Sequence, residues 1–143
     1  YHGYGKALKD NGITFEASLA YQGNFEEGSG IAAARYFFGG KIRRPPTAIF
    51  CANDVMAISM INELRTHLKI ECPKNVSVMG FDGIDAGRYT TPPLTSVRQP
   101  IYEMTRDAVR EIIDIIKGEK SQAKGTRYFK AKIIERGSVL SNP

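Results

Sequence analysis

AIFCAND at residues 48–54 and VSVMGFD at residues 76–82 decide the fold of this chain. Each stretch is a short apolar run that ends abruptly at a polar residue, Asn53 in the first and Asp82 in the second. Parallel strands that are buried on both faces have this continuous apolar pattern. Ligands of open α/β sheets bind just beyond the carboxyl ends of such strands. The pattern therefore predicts an amide and a carboxylate at one crevice, suited to a polyhydroxylated small molecule.

The rest of the composition is that of an ordinary globular protein. The chain has 143 residues, 42% apolar and 24% charged, enough for one domain with its own core. Its net charge is +5, but the basic residues are scattered, which favours a mildly basic surface over a nucleic-acid-binding face. No apolar run is long enough to cross a bilayer, and no signal peptide opens the chain. The start at Tyr1, in helix-like sequence, leads us to expect a fragment or a processed chain.

Strands and helices alternate along the chain. Apolar spacing predicts helices over 4–11, 26–38, 54–68 and 101–117, and strands over 18–22, 47–51, 76–80, 94–97 and 128–134. This order is typical of a parallel sheet with right-handed crossovers, so we expect a three-layer α/β fold with a mostly parallel sheet flanked by helices. The apolar face of helix 101–117 is too broad for a lone surface helix, and either the sheet or a partner must cover it.

Catalytic machinery is not visible in the sequence. His2 lies at the chain start and His67 near a predicted helix end, and both are best interpreted as surface residues. There is no GxSxG, HExxH, GxGxxG or Walker A motif. Cys51 and Cys72 have no metal-ligand spacing; free thiols are the simpler interpretation, with a disulfide left open. We therefore predict no enzyme, no metal site and no cofactor.

Four polar or aromatic residues near the strand ends have competing interpretations. Asn53 is equally suited to capping the next helix and to contacting a ligand. Asp54 is fully explained as a helix cap, and Asp85 as a turn residue beside a more significant Asp82. Phe25 can fill the core or stack on the apolar face of a sugar or base, and core filling is favoured.

Several segments together resemble one family. They are the Gly-aromatic helix at 3–13, GNFEEGSG at 23–30, PTAIFCANDVMA at 46–57, VSVMGFDG at 76–83, PPLTSVRQP at 92–100 and ERGS at 135–138. In this order and spacing they resemble the lactose/galactose-repressor (LacI/GalR-type) family of transcriptional regulators. The chain departs from the family pattern at Gly83, where the family has a second acid, and it lacks the arginine just upstream of Gly3.

The resemblance implies a type I periplasmic-binding-protein fold, with two α/β subdomains around an effector cleft. The chain then looks like the C-terminal subdomain, truncated at its N-terminus before the first strand. Residues 1–97 would belong to that subdomain, 98–120 to a crossover and a helix of the N-terminal subdomain, and 121–143 to a return strand and C-terminal tail. A helix packed in the other subdomain would explain the uncovered apolar face of 101–117.

The resemblance also implies residue roles. Phe25, Asn53, Asp82 and Gln99 match positions that contact the effector, a sugar or sugar-like molecule. Ile58, Ile61 and Tyr89 match a homodimer interface, although ordinary core packing explains the two isoleucines equally well. DNA would be bound only through an N-terminal domain absent here, in the cytoplasm and without any membrane. The implied function is effector sensing in a transcriptional repressor; the alternative is a periplasmic sugar-binding protein for transport.

Overall fold

Helices and strands alternate through most of the chain, as the apolar pattern predicts. The computed structural model describes residues 1–119, 121–122 and 125–140. Its main elements are α1 (His2–Asp10), α2 (Glu27–Phe38), β1 (Ala48–Phe50), α3 (Asp54–Glu63), β2 (Ser77–Asp82), β3 (Thr95–Arg98), α4 (Ile101–Ile116) and β4 (Lys132–Ile134). Single turns of 3-10 helix lie at Ala17–Leu19 and Asp85–Arg88, and α3 continues into a π-helical turn at Leu64–Leu68.

The four strands form one mixed sheet in the order β1-β2-β3-β4. β1 pairs with β2, and β2 with β3, in parallel, whereas β4 runs antiparallel to β3. Parallel neighbours align their carboxyl ends, and Asp82 at the end of β2 is paired with Arg98 at the end of β3. The predicted α/β class with a mostly parallel sheet is confirmed.

The core lies between the sheet and the two helices α2 and α3. Its fully buried members come from both helices, from the turn that extends α3 and from the strands or their flanks, and include Ala34, Ile61, Leu64, Val78 and Leu94. Gly30 lets the helices approach closely, since a Cβ there would lie 2.1 Å from the Ser59 hydroxyl oxygen and 2.2 Å from the Met56 carbonyl oxygen.

A buried carboxylate joins the same two helices. Glu63 of α3 is only 4% exposed, and its Oε1 accepts a 2.7 Å bond from Nε of Arg35 in α2. His67 Nδ1 lies 2.9 Å from the other carboxylate oxygen. The Arg35 hydrogen bond is the main reason that the pKa of Glu63 is lowered below its ordinary value of 4.5. Arg35 and Glu63 thus reinforce the α2–α3 contact with charge.

The remaining helices are packed much less closely. Neither α1 nor α4 contains a buried residue, and Ile112 and Ile116 of α4 are 56% and 78% exposed. Phe50 in β1 and Ile133 in β4 are also more than half exposed. Within the described residues, α3 thus packs closely on the sheet and α2 packs closely on α3. The apolar face of α4 is not covered by the sheet.

Two sequence predictions need correction. The strand expected over 18–22 is wrong: the chain forms the 3-10 turn at Ala17–Leu19 and no strand of the described residues pairs with it. The last strand is shorter than expected, at Lys132–Ile134. The division into 1–97, 98–120 and 121–143 stays a prediction, and residues 120, 123–124 and 141–143 lie outside the described part of the chain.

Candidate ligand-binding site

The ends of β2 and β3 bring Asp82 and Gln99 together. Gln99 Nε2 donates a 2.7 Å hydrogen bond to Asp82 Oδ1, and the Gln99 backbone N–H donates to the Asp82 carbonyl at 3.3 Å. Both side chains are half-buried. Parallel pairing of β2 with β3 explains the contact, because each residue stands at or just after the end of its strand. An acid and an amide are therefore held side by side at the sheet edge where ligands of α/β folds bind.

A second pair, Asn53 and Phe25, follows the neighbouring strand β1. Asn53 caps α3, with its Oδ1 accepting from the Met56 backbone N–H at 2.9 Å. Its Nδ2 donates to the Phe25 carbonyl at 2.8 Å. Phe25 has a positive φ of 68° and a 64% exposed surface, so core filling is the wrong interpretation of this ring. Asn53 is thus a helix cap that also fixes the loop presenting an exposed aromatic ring.

Asp54 does not have the helix-capping role that the sequence predicts. The helix cap is Asn53, whereas Asp54 is 0% exposed. Its Oδ1 accepts from the Ser96 hydroxyl at 2.5 Å, and its Oδ2 accepts from the Ile84 N–H at 2.8 Å. Gly80 in the middle of an apolar strand was the available signal, because a Cβ there would lie 2.1 Å from Asp54 Oδ1.

Gly83 occupies a backbone conformation and a space that exclude other residues. Its φ is +75°, and a Cβ would approach the Arg98 Cα and side chain to 2.7–2.8 Å. The departure from the family pattern at this position therefore has a local reason in this chain: β3 passes too close for a side chain here.

The three residues predicted at a dimer interface have different surroundings. Tyr89 is 85% exposed, Ile58 is half-buried against the core, and Ile61 is 1% exposed within it. Ile61 has no surface to offer a partner, so core packing, the alternative interpretation, is correct for it. Tyr89 and Ile58 keep exposed atoms and stay predictions.

Both cysteines are free thiols in shielded places. Cys51 is buried and Cys72 partly so. Burial raises the pKa of Cys51 to about 12 and that of Cys72 to about 11. The thiolate, which is the reactive form, is therefore scarce at neutral pH in both residues.

A groove of about 1030 Å³ opens beside this site, between α1 and the outer edge of β1. Tyr4, Phe15 and Phe50 are among the aromatic residues along it, and Phe25 and Ala52 lie on its wall. Asn53, Asp82 and Gln99 do not line it. The polar strand-end cluster and this apolar groove are thus adjacent features with different chemistry.

The part of the chain that the structure describes contains neither a cluster of metal-ligating side chains nor a helix that could cross a membrane. In residues 1–119, 121–122 and 125–140, no group of three or more His, Cys, Asp or Glu side chains is placed to hold a metal ion. Among the same residues, none of the helices has the length and apolar character needed to span a membrane.

A mostly parallel sheet with helices between its parallel strands places the chain in the α/β class. Residues 1–139 match the family model described as a periplasmic binding protein-like domain, and the chain belongs to that family. The transcriptional repressor CytR of Escherichia coli K12 is 34% identical over 142 residues, or 99% of this chain. The repressor PurR of Vibrio atlanticus is 34% identical over 137 residues, or 96% of this chain.

Solved structures of transcription regulators have the same fold. The cellobiose complex of the regulator CelR matches 95% of this chain with a TM-score of 0.84 and 32% identity. A LacI-type regulator from Bifidobacterium animalis subsp. lactis matches 96% with a TM-score of 0.88 and 30% identity. The resemblance to LacI-family repressors is thus confirmed. The chain spans 40% of the length of CytR and PurR, and 40% and 48% of the two solved chains.

Proposed function

We propose that this chain is the effector-sensing part of a DNA-binding transcriptional repressor, with a sugar or sugar-like molecule as the effector. The observation that carries the proposal is the Asp82–Gln99 hydrogen bond at the carboxyl ends of β2 and β3. The similarity of the chain to CytR and PurR, both transcriptional repressors, supports the proposal. No comparison favours the transport-protein alternative.

The chemistry of the cluster suits a polyhydroxylated ligand. A carboxylate only accepts hydrogen bonds, and beyond the bond from Gln99 it has lone pairs for sugar hydroxyls. The carboxamides of Gln99 and Asn53 each have further donor and acceptor capacity after their observed bonds. The exposed ring of Phe25 offers an apolar surface for the C–H face of a sugar ring or for a base.

Binding would act by shifting a population between two arrangements. An effector that contacts this chain and a second subdomain in one cleft would favour the closed state by its differential affinity for that state. DNA would be bound by a part of the protein beyond these residues, and the protein would act in the cytoplasm. The ligand would be released chemically unchanged.

The test is calorimetric titration of the full-length protein with monosaccharides, disaccharides including cellobiose, and nucleosides. Asp82→Ala should raise the dissociation constant of the tightest-binding ligand about tenfold or more. The ligand hydroxyls would lose a charged acceptor, and hydrogen bonds to charged groups are stronger than those between neutral groups. Asp85→Ala is the matched control, since Asp85 belongs to the same loop with an 82% exposed side chain. Equal affinities of the wild type and Asp82→Ala would rule out this site.

Homodimerisation is a separate part of the proposal and rests on Tyr89. Tyr89→Asp in the full-length protein should raise the dimer dissociation constant about tenfold, since buried aromatic residues often dominate interface energies. Tyr102→Asp is the control, because Tyr102 is also exposed, at 75%, but lies on α4. Sedimentation velocity over a concentration series measures the dimer dissociation constants of both variants. Equal increases in the two variants would show that Tyr89 is not part of the interface.

A further inference from the structure

Asp54 is a buried acidic residue that the proposed binding cluster does not use. It is 0% exposed, and a buried carboxylate is costly unless hydrogen bonds compensate it. The Ser96 hydroxyl and the Ile84 N–H both donate to it. Asp54 also stands in the first turn of α3, where the helix dipole favours negative charge. The Asp54 carboxylate, at the start of α3, therefore links this helix to β3 through Ser96 and to the loop after β2 through Ile84.

The loop after β2 donates two hydrogen bonds to Asp54 and Ser96 through adjacent backbone N–H groups. Ile84 N–H donates directly to Asp54 Oδ2 at 2.8 Å. Gly83 N–H donates at 3.1 Å to Ser96 Oγ, whose own proton goes to Asp54 Oδ1 at 2.5 Å. Because a serine hydroxyl has a single proton, the direction of this relay is fixed when Asp54 is ionised.

Those two N–H groups follow the residue at the centre of the ligand cluster. Asp82 has a φ of 118° and Gly83 a φ of 75°. Glycine adopts a positive φ readily, but at a non-glycine residue such as Asp82 it is unfavourable and persists only when surrounding contacts enforce it. The bonds from Gly83 and Ile84 supply such contacts immediately after Asp82.

We propose that Asp54 and Ser96 are positioning residues that hold the Asp82 carboxylate in the orientation that accepts effector hydroxyls. They act through the backbone of Gly83 and Ile84 and do not touch the ligand. The inference rests on the proposed function for its effect on affinity, whereas its effect on the loop is independent of any ligand.

Ser138 provides a matched control for Ser96. Both are 0% exposed, and both hydroxyls make one donated and one accepted bond. Ser138 accepts from the Thr95 N–H at 2.8 Å and donates to the Val78 carbonyl at 2.6 Å, so it has no contact with the loop. Ser138→Ala should destabilise the fold as much as Ser96→Ala does but leave residues 82–84 in place.

The first measurement is amide hydrogen exchange at Gly83 and Ile84 in the full-length protein without ligand, by NMR with ¹⁵N-labelled glycine and isoleucine. After correction for the change in global stability, Ser96→Ala should speed exchange at Gly83 about tenfold or more relative to Ser138→Ala, because its N–H loses its acceptor. Equal exchange rates in the two variants would overturn the proposal.

The second measurement is the affinity of the same variants for the tightest-binding sugar or nucleoside of the panel. Ser96→Ala should bind about tenfold more weakly than Ser138→Ala. If the exchange rates differ and the affinities do not, Asp54 and Ser96 do not position Asp82 for binding, and the proposal fails. If no compound binds the wild type, the proposed function fails, and the exchange rates alone decide whether Ser96 holds the loop.

Asp54→Leu is the second variant and keeps the experiment decisive if Ser96→Ala does not fold. Leucine has a similar branched shape but no hydrogen-bond acceptor, so the bonds from Ser96 and Ile84 are both lost. Faster exchange at Gly83 or Ile84 than in Ser138→Ala supports the proposal. Exchange at the Ser138→Ala rate at both positions overturns it.

Discussion

Helices α3 and α4 differ in a way that their sequences conceal. α4 has the clearest apolar spacing in the chain, yet it contains no buried residue. α3 buries seven of its ten residues, including the charged Asp54 and Glu63. Apolar residues at helical spacing thus identified a helix in both cases but not its packing, which depends on what lies opposite. Since most helical stability in proteins comes from tertiary packing, the two helices should respond very differently to the same substitution.

The largest expected difference is between two isoleucines. Ile61 of α3 is 1% exposed and Ile112 of α4 is 56% exposed. Ile61→Ala should lower the free energy of unfolding by about 2–5 kcal/mol through lost burial and a residual cavity. Ile112→Ala should change it by less than about 0.5 kcal/mol. Urea unfolding of the 143-residue chain measures both, and similar losses would show that α4 is packed as firmly as α3.

A second pair of variants tests the close approach of α2 to α3. Gly30→Ala should destabilise the chain by about 1–3 kcal/mol, because its Cβ would overlap the Ser59 side chain and the Met56 carbonyl. Gly28→Ala lies in the same helix with nothing within 4 Å of its Cβ. It should stabilise by up to about 1 kcal/mol, from helix propensity alone. Thermal unfolding followed by circular dichroism distinguishes the opposite signs, and two shifts of the same sign would contradict the packing described.

Acid titration compares the effect on stability of the buried Glu63 carboxylate with that of the Asp107 carboxylate on α4. The Arg35 hydrogen bond lowers the pKa of Glu63 from its ordinary value of 4.5. Its contribution to stability is therefore fully present above pH 4.5 and is lost as the pH falls through the lower folded-state pKa. In Glu63→Gln, the free energy of unfolding should therefore fall less steeply as the pH is lowered. The midpoints of urea unfolding between pH 3 and 6 measure this difference. An unchanged pH profile would mean that the Arg35 bond is not formed in solution.

Asp107 of α4 should give the smallest effect. Its pKa is lowered from 3.8, first by the hydrogen bond from Arg106 and then by Arg127, so its contribution is likewise lost in acid. Both arginines are substantially exposed, at 41% and 56% of their side chains. Exposed pairs contribute little and are screened by salt. Asp107→Asn should barely alter the pH profile in 0.5 M NaCl, and a change as large as that of Glu63→Gln would contradict the comparison.

The sheet was predictable from the sequence because its parallel strands are short apolar runs between helical patterns. The prediction of a strand over 18–22 was wrong because a strand must pair with a neighbouring strand, and local sequence does not determine that pairing. The final strand was overextended for the same reason, since only Lys132–Ile134 lies opposite β3.

The binding cluster was only partly predictable. Asp82 and Gln99 follow strands that could be read directly, and their mutual hydrogen bond follows from the parallel pairing of β2 with β3. Asp54 could not be assigned, because next to Asn53 either residue could cap the helix. Its burial depends on Ser96, 42 positions away in the chain, and only the fold brings the two together.

The two shielded thiols make this protein suited to site-specific labelling. Because Cys51 and Cys72 remain almost entirely protonated at pH 7, maleimide dyes should react slowly with both. A cysteine introduced at exposed Tyr128, paired with a second one elsewhere in the full-length protein, would then report distances by energy transfer without removal of the native residues. The proposed closure on effector binding could be tested in this way.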